Sequence, residues 1–403
     1  MGGILLKVGI FEYVSGGGIK EEDISHNMLC EGYSMLKSAT EDFQMAGYEV
    51  STILDSRLSK LTDYLKADRL EFVSTQDNTF DILLEMLKTV DLSLIIAPET
   101  RGILSSFVQI ARSNTVSLNS TPESIDFVSD KAKLAETLYR NSLPIPETYC
   151  FNSEVRKEEI ERVFKTFSSP VVVKPVNGAG CEKVFVVKET SQLSQALESI
   201  IADNPKERVI IQEFVEGIPV SVSLILNGVD AFPISMNLQR VSLNSPPESS
   251  WYYGGVTPFH HPNESEVINL ARRAVKPFNG LIGYVGVDMM ITTSGPMLLE
   301  INPRLTVSYV GLKQISKVNL AESIVRASSG VSLPTAFETQ GVSAFSKISA
   351  DALKTIRGDV EVICPKIQIE GSDINYIFFA LKGKEESEVQ RILVDASMPY
   401  HIT

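Results

Sequence analysis

The sequence predicts an α/β protein built from several units, and three observations lead there. Strand-like apolar runs alternate with segments of helical periodicity up to about residue 120. Paired β-branched runs broken by glycine turns follow Pro170. A chain of 403 residues with 43% hydrophobic content can also fill more than one core. The expected order is an N-terminal parallel α/β domain (1–120), a central small α+β subdomain (121–205), an antiparallel-sheet subdomain (206–330) and an appended small α+β module (331–403).

In the first unit the strands are expected at Leu5 to Val14, Tyr48 to Leu54, Leu92 to Ala97 and Thr115 to Leu118. Met35, Leu36, Ala39 and Phe43 recur at helical spacing within Glu31 to Ala46, as do Ile82, Leu83, Met86 and Leu87 within Asn78 to Val90. Both segments read as crossover helices. A further helix is expected over Ser129 to Asn141, where LPIPETY breaks it and a new unit begins. The hairpin Val171 to Val187 turns at Asn177 to Gly180. A strand over Val209 to Val215 follows, then Ser221 to Leu226, which turns back at Asn227-Gly228, a strong hairpin signal. Two more strands meet around Ser294-Gly295-Pro296. The last segment offers strands over Val360 to Ile369 and Ile374 to Ala380 and a polar helix over Lys384 to Asp395, suited to docking or to a homodimer.

A net charge of −13 argues against a general nucleic-acid or membrane-surface binder, though a local basic pocket is compatible with it. The opening ILLKVGIFEYV is too short to span a bilayer and lacks a small-residue cleavage site. Four scattered cysteines, with no C-x-x-C spacing, suggest neither a zinc site nor a disulfide framework. A reducing cytoplasm fits these features.

The chemistry lies in the strands of the middle and later thirds. Lys174 sits inside a β-branched run, so it either snorkels outward or aims its ammonium at an anion, and the glycine turn beside it offers backbone N–H groups to a phosphate. In LLEINPR, Glu300, Asn302 and Arg304 share one face of a strand. Asp288 on the preceding strand joins them only if it lies opposite Glu300. Two opposed carboxylates repel without a cation. With an amide oxygen they make a set of hard ligands for Mg²⁺, an ion that commonly binds through few carboxylates plus nucleotide phosphates. The alternative is a solvated strand face, which the apolar Leu298, Leu299 and Ile301 oppose.

The ordered set SDKAKLAETL, VVVKPVNGAG, QEFVEG, GVD and EINPR, from about Val128 to Gly311, resembles the ATP-grasp superfamily of carboxylate–amine ligases. That resemblance implies ATP and Mg²⁺ (or Mn²⁺) as cofactors, with Lys131 and Lys174 on nucleotide phosphates and Asn177, Gly178, Ala179 and Gly180 folding over them. Glu213, Phe214 and Val215 would meet the adenine edge, Asp288, Glu300 and Asn302 would hold the metal, and Arg304 would act with Lys174 beside an acyl phosphate. The stretches FEYVSGGG and EGYSMLKS look like the tyramine–glutamate ligase branch of methanofuran biosynthesis, which implies small-molecule carboxylate and amine partners met by Glu12, Tyr13 and Arg240. Two positions depart from the superfamily pattern: Pro219 stands where a ribose-binding glutamate is usual, and Gly286 where many members carry an arginine. These departures leave open a nucleotide-binding protein without turnover, or a ligase for another acid and amine. The clustered aromatics and paired glycines of Trp251 to Pro262 are expected to form a mobile flap, whose His260 and His261 read as surface residues.

Overall fold

The computed structural model describes residues 5–20, 26–152, 155–168, 170–369, 372–374 and 376–395. The outermost ends of the first and last expected units, 1–4 and 396–403, lie outside the described residues.

The N-terminal unit is a five-stranded parallel sheet formed by β1 (Lys7–Glu12), β2 (Glu49–Asp55), β3 (Arg69–Val73), β4 (Leu92–Ile96) and β5 (Val116–Ser117), ordered β3-β2-β1-β4-β5. β1 ends earlier than the apolar run suggests, because the Glu12 carboxylate accepts the N–H groups of Val14 and Ser15 and bends the chain into a turn. β3 carried no sequence signal, and four of its five side chains, from Arg69 to Phe72, are partly or fully exposed. The long helix His26–Met45 packs Leu29, Leu36, Ala39 and Phe43 into the core on one face of this sheet.

A helix over Pro122–Ser129 precedes the one expected over Ser129 to Asn141, which is present as Lys131–Arg140. Asp130 leaves helical geometry between them and caps the second, its Oδ1 accepting the N–H groups of Ala132 and Lys133 at 3.1 Å. The central sheet contains β6 (Thr148–Phe151), β7 (Val171–Pro175), β8 (Phe185–Val187) and β9 (Val209–Glu213), antiparallel in the order β6-β9-β7-β8.

The third sheet has eight strands. β10 (Ile218–Asn227), β11 (Ala231–Ser242), β12 (Trp251–Thr257), β13 (Ile282–Thr292) and β14 (Gly295–Asn302) are joined by β15 (Val342–Ser349), β16 (Asp359–Cys364) and, after the small hairpin β17 (Ile367–Ile369) and β18 (Ser372–Ile374), by β19 (Tyr376–Gly383). The order is β14-β13-β10-β11-β12-β15-β19-β16. Two expectations change here. The segment beginning at Trp251 is not a flap, since β12 is hydrogen-bonded on both sides, to β11 and β15. The C-terminal segment adds its strands to this same sheet, and Ala344, Phe379, Leu381 and Val389 share one core with Val222 and Val285. Pro365, which has no N–H to give a ladder, separates β16 from β17 in the stretch expected as a single strand.

Candidate active site

A cavity of about 800 Å³ opens where the three sheets meet. Its floor is the hairpin β13–β14. Gly286 pairs with Asn302 and Asp288 with Glu300, and a bulge after Asp288 absorbs the change of register before the turn. The two carboxylates therefore stand directly opposite on one face. Asn302 Nδ2 donates to Asp288 Oδ2 and Gln239 Nε2 to Asp288 Oδ1, both at 2.9 Å. Burial, followed by the neighbouring charge of Glu300, pushes Asp288 up to about 7. Burial also acts to raise Glu300, but Lys131 and Lys174 outweigh it and hold that carboxyl below its ordinary range.

The cationic side comes from the central unit. The Asp130 cap begins the helix at Lys131, whose Nζ lies 2.9 Å from Glu300 Oε1 and donates to the Gly178 carbonyl at 2.6 Å. Lys174, on β7, aims inward rather than snorkelling; its Nζ donates to Gln212 Oε1 on β9 at 3.0 Å. Burial lowers Lys174 to about 8, despite the opposing pull of Glu300. Arg304 follows β14 and forms an ion pair with Glu99 from the N-terminal unit, Nε to Oε1 at 2.8 Å and Nη2 to Oε2 at 3.1 Å. Glu99 comes just past the end of β4, at the carboxyl edge of the parallel sheet, where α/β folds bind ligands.

Gly178, Ala179 and Gly180 line the cavity, as do Glu213, Phe214 and Val215 in the connection from β9 to β10; Asn177 does not. The N–H groups of Glu213 and Phe214 already donate to the carbonyls of Glu147 and Pro170, so the hinge has fewer donors to offer an adenine than its sequence suggests. Of the three sequence-predicted substrate residues, the fold brings only Glu12 to the cavity wall. Glu12 lines it, but its carboxylate is occupied by Val14 N–H, Ser15 N–H and the Ser15 hydroxyl. Tyr13 packs edge-on against Phe107, among the apolar residues on the sheet's other side. Arg240 is buried and absent from the lining, whereas its strand neighbour Gln239 faces in, as alternation on β11 requires. Gln212, Gln239 and Glu99 are the site residues that the motif reading missed. Each is a polar side chain in or just beyond an apolar strand, and that was the available signal.

The site fits a divalent cation. Among the described residues no group of three or more His, Cys, Asp or Glu side chains could hold one alone. An ion would instead rest on Asp288, Glu300, the Asn302 amide oxygen and the oxygens of a bound phosphate. The raised Asp288 reports the same thing, a second buried negative charge that a cation would relieve.

Comparison with known proteins decides the family. Residues 128–308 match the ATP-grasp domain, and residues 48–125 match the pre ATP-grasp 3 domain. The chain belongs to the ATP-grasp superfamily. Two relatives of this ATP-grasp chain are tyramine–L-glutamate ligases. That of Methanocaldococcus jannaschii is 27% identical over 321 residues, 78% of this chain and 87% of its own. That of Methanocaldococcus fervens is 29% identical over 323 residues, 78% of this chain and 92% of its own. Among solved structures, an ATP-grasp superfamily protein from Archaeoglobus fulgidus aligns with a TM-score of 0.66 at 24% identity, covering 94% of this chain and 99% of that one. A biotin carboxylase from Campylobacter jejuni, solved as a β,γ-ATP complex, aligns at 0.74 and 14% identity, covering 97% and 90%. At these identities both structures speak to the fold alone.

Sterics account for Gly286: a Cβ built there would come within 2.6 Å of the Thr306 methyl, which leaves no room for a longer side chain. No described helix is long and apolar enough to cross a membrane.

Proposed function

We propose that this protein is an ATP-dependent carboxylate–amine ligase that works through an acyl phosphate, and that it joins the γ-carboxylate of L-glutamate to tyramine. The observation that carries the reading is the opposition of Asp288 and Glu300 on one cavity wall, faced by Lys131, Lys174 and Arg304. The two tyramine–L-glutamate ligase relatives supply the substrate pair. The 800 Å³ volume suits a nucleotide together with a small acid and amine.

In this reading the central unit, about 121–205, and the sheet unit, about 206–330, enclose the triphosphate, while the carboxyl edge of unit 1–120 closes the acceptor side. Lys131, Lys174 and the backbone of Gly178 to Gly180 hold the β- and γ-phosphates, and Val215 meets the adenine edge. Asp288, Glu300 and Asn302 would hold a divalent ion, whose charge would neutralise the transferring phosphoryl group. A carboxylate oxygen of the acid attacks the γ-phosphorus and ADP leaves. The amine nitrogen then attacks the acyl carbon, phosphate leaves, and the nitrogen gives up a proton. Arg304, fixed by Glu99, stabilises charge on the acyl phosphate in place of the arginine that Gly286 excludes. The protein's part is positioning, neutralisation and exclusion of water.

The test is to incubate the protein with MgATP, L-glutamate and a panel of amines including tyramine, following ADP release and product mass. Glutamate-dependent ADP and a product of γ-glutamyltyramine mass are expected. If ADP never accumulates with any acid and amine, the ligase reading fails and a nucleotide-binding role without turnover takes its place.

A further inference from the structure

One buried ion pair at the cavity takes no part in holding the nucleotide. Lys347 on β15 donates to Glu31 Oε1 on the long helix at 2.7 Å, with the lysine side chain 4% and the glutamate 18% exposed. Glu31 lines the cavity beside Met28, Gly32 and Met35, the same face of that helix at three- and four-residue spacing. Tyr252 of β12 lines the wall too. Burial first, then the charges of Glu31 and Asp288, raise its phenol. A charge pair beside apolar surface is costly unless more partners complete it. A carboxylate offers about four lone-pair sites, and one lysine does not fill them.

We propose that Glu31, held in place by Lys347, receives the ammonium group of an α-amino-acid substrate, so that this substrate's side-chain carboxylate is the one delivered to the γ-phosphate. The proposal rests on the ligase reading and deepens it by assigning the recognition of the acid. The incoming amine is the wrong occupant for this position. An ion-paired carboxylate keeps its guest as ammonium, and ammonium has no lone pair with which to attack an acyl phosphate. The group held here is one that must stay protonated throughout the reaction. Lys347 does not line the cavity and is a positioning residue, because it fixes the Glu31 carboxylate from behind.

The experiment compares L-glutamate with glutarate, which has both carboxylates and no ammonium, at saturating MgATP and tyramine. The wild-type protein is expected to favour glutamate by about 10–100-fold in kcat/KM, the worth of one charge-assisted hydrogen bond. Glu31→Gln should bring that ratio to within about threefold, mostly by raising the KM for glutamate, while the KM for ATP stays put. Glu31→Asp keeps the charge and should keep most of the preference, which guards against a variant that merely folds poorly. Lys347→Met should lower the ratio as well, an effect that general loosening of the sheet would not produce. An unchanged ratio in a Glu31→Gln protein that still releases ADP overturns the proposal, as does a rise in the KM for tyramine in place of glutamate. Absence of ADP from the wild-type protein overturns both this proposal and the ligase reading.

Discussion

Two hairpins face each other across the cavity, and they are built on opposite principles. The connection from β7 to β8 holds three residues in left-handed backbone outside the strands: Gly180 at φ +67°, with Cys181 at 64° and Lys183 at 53° close behind. A Cβ at Gly180 would meet nothing within 4 Å. The hairpin β13–β14 is packed from its root. Tyr284 Oη donates to Ser223 Oγ at 2.7 Å and reaches Ser308 Oγ at 3.1 Å, and Gly286 leaves no space beneath Thr306. The difference follows the ligands each would hold. In the proposed function a phosphate enters and leaves past the first hairpin, whereas the second keeps two like charges opposed, and a loose support would let them separate.

The largest expected effect breaks the rigid side. Glu300→Gln keeps the shape of the side chain and removes one charge of the opposed pair proposed to hold the metal. Loss of a partner that only supports a metal ligand costs about 10–100-fold, so loss of a ligand should lower turnover by at least roughly 100-fold. Asp288 loses its repelling neighbour, which offsets part of the broken Lys131 contact, so the melting temperature should move little. Glutamate-dependent ADP release and a thermal melt on the same preparation check both halves.

Next comes the packing itself. Gly286→Ala forces a methyl group to within 2.6 Å of Thr306 Cγ2, and Thr306 is tied into the same hydroxyl cluster through Ser308. Overpacking of this kind costs about 1–3 kcal/mol. Gly180→Ala on the open hairpin meets no atom and carries only the strain of its positive φ, about 1 kcal/mol. Urea denaturation of the two variants should therefore rank Gly286→Ala as the more damaging. The reverse ranking would mean that the contrast between the hairpins is misdrawn.

The same contrast explains what could be read from the sequence. The opposed carboxylates were legible because period-two alternation and strand pairing are local rules: once EINPR and GVD are strands of one hairpin, Asp288 opposite Glu300 is one of very few outcomes. Lys174 was legible because a lysine in a β-branched run needs a reason. Gln212 and Gln239 carry no such signal, since a lone amide in a strand acquires meaning only when its place in the sheet is known: beside Lys174 on the adjacent β7 for Gln212, and two strands from Asp288 on β13 for Gln239. The pairing of Glu31 with Lys347 joins residues from opposite ends of the chain. It depends on β15 lying beside β12, a topology no local pattern encodes. Arg240 has the guanidinium that suits a carboxylate, but its place in the β11 alternation keeps it off the cavity wall. β12 read as a flap because its glycines suggest freedom. Gly254 and Gly255 are instead required where neighbouring strands approach, since a Cβ would come within 2.0 Å of the Phe345 carbonyl at the first and 2.3 Å of the Leu238 carbonyl at the second.

The smallest prediction sharpens the comparison from the side of the phosphates. Lys174 is lowered to about 8 by burial, so the empty site holds an ammonium that is already partly discharged in mild alkali. Between pH 7.5 and 8.5 its protonated share falls about threefold, and the affinity for ADP should fall by about the same factor. Titration calorimetry across that range measures it, and Lys174→Met should bind more weakly overall and lose the slope. The stability of the ligand-free protein should move the other way. The cost of burying the ammonium is fully present below pH 8. It is relieved between about 8 and 10.5, where the folded chain has released a proton that the unfolded chain still keeps, so Lys174 makes the protein more stable as the pH rises through that window. Opposite slopes for affinity and stability, both abolished by Lys174→Met, would tie the two observations to one buried amine on the wall that faces the rigid hairpin.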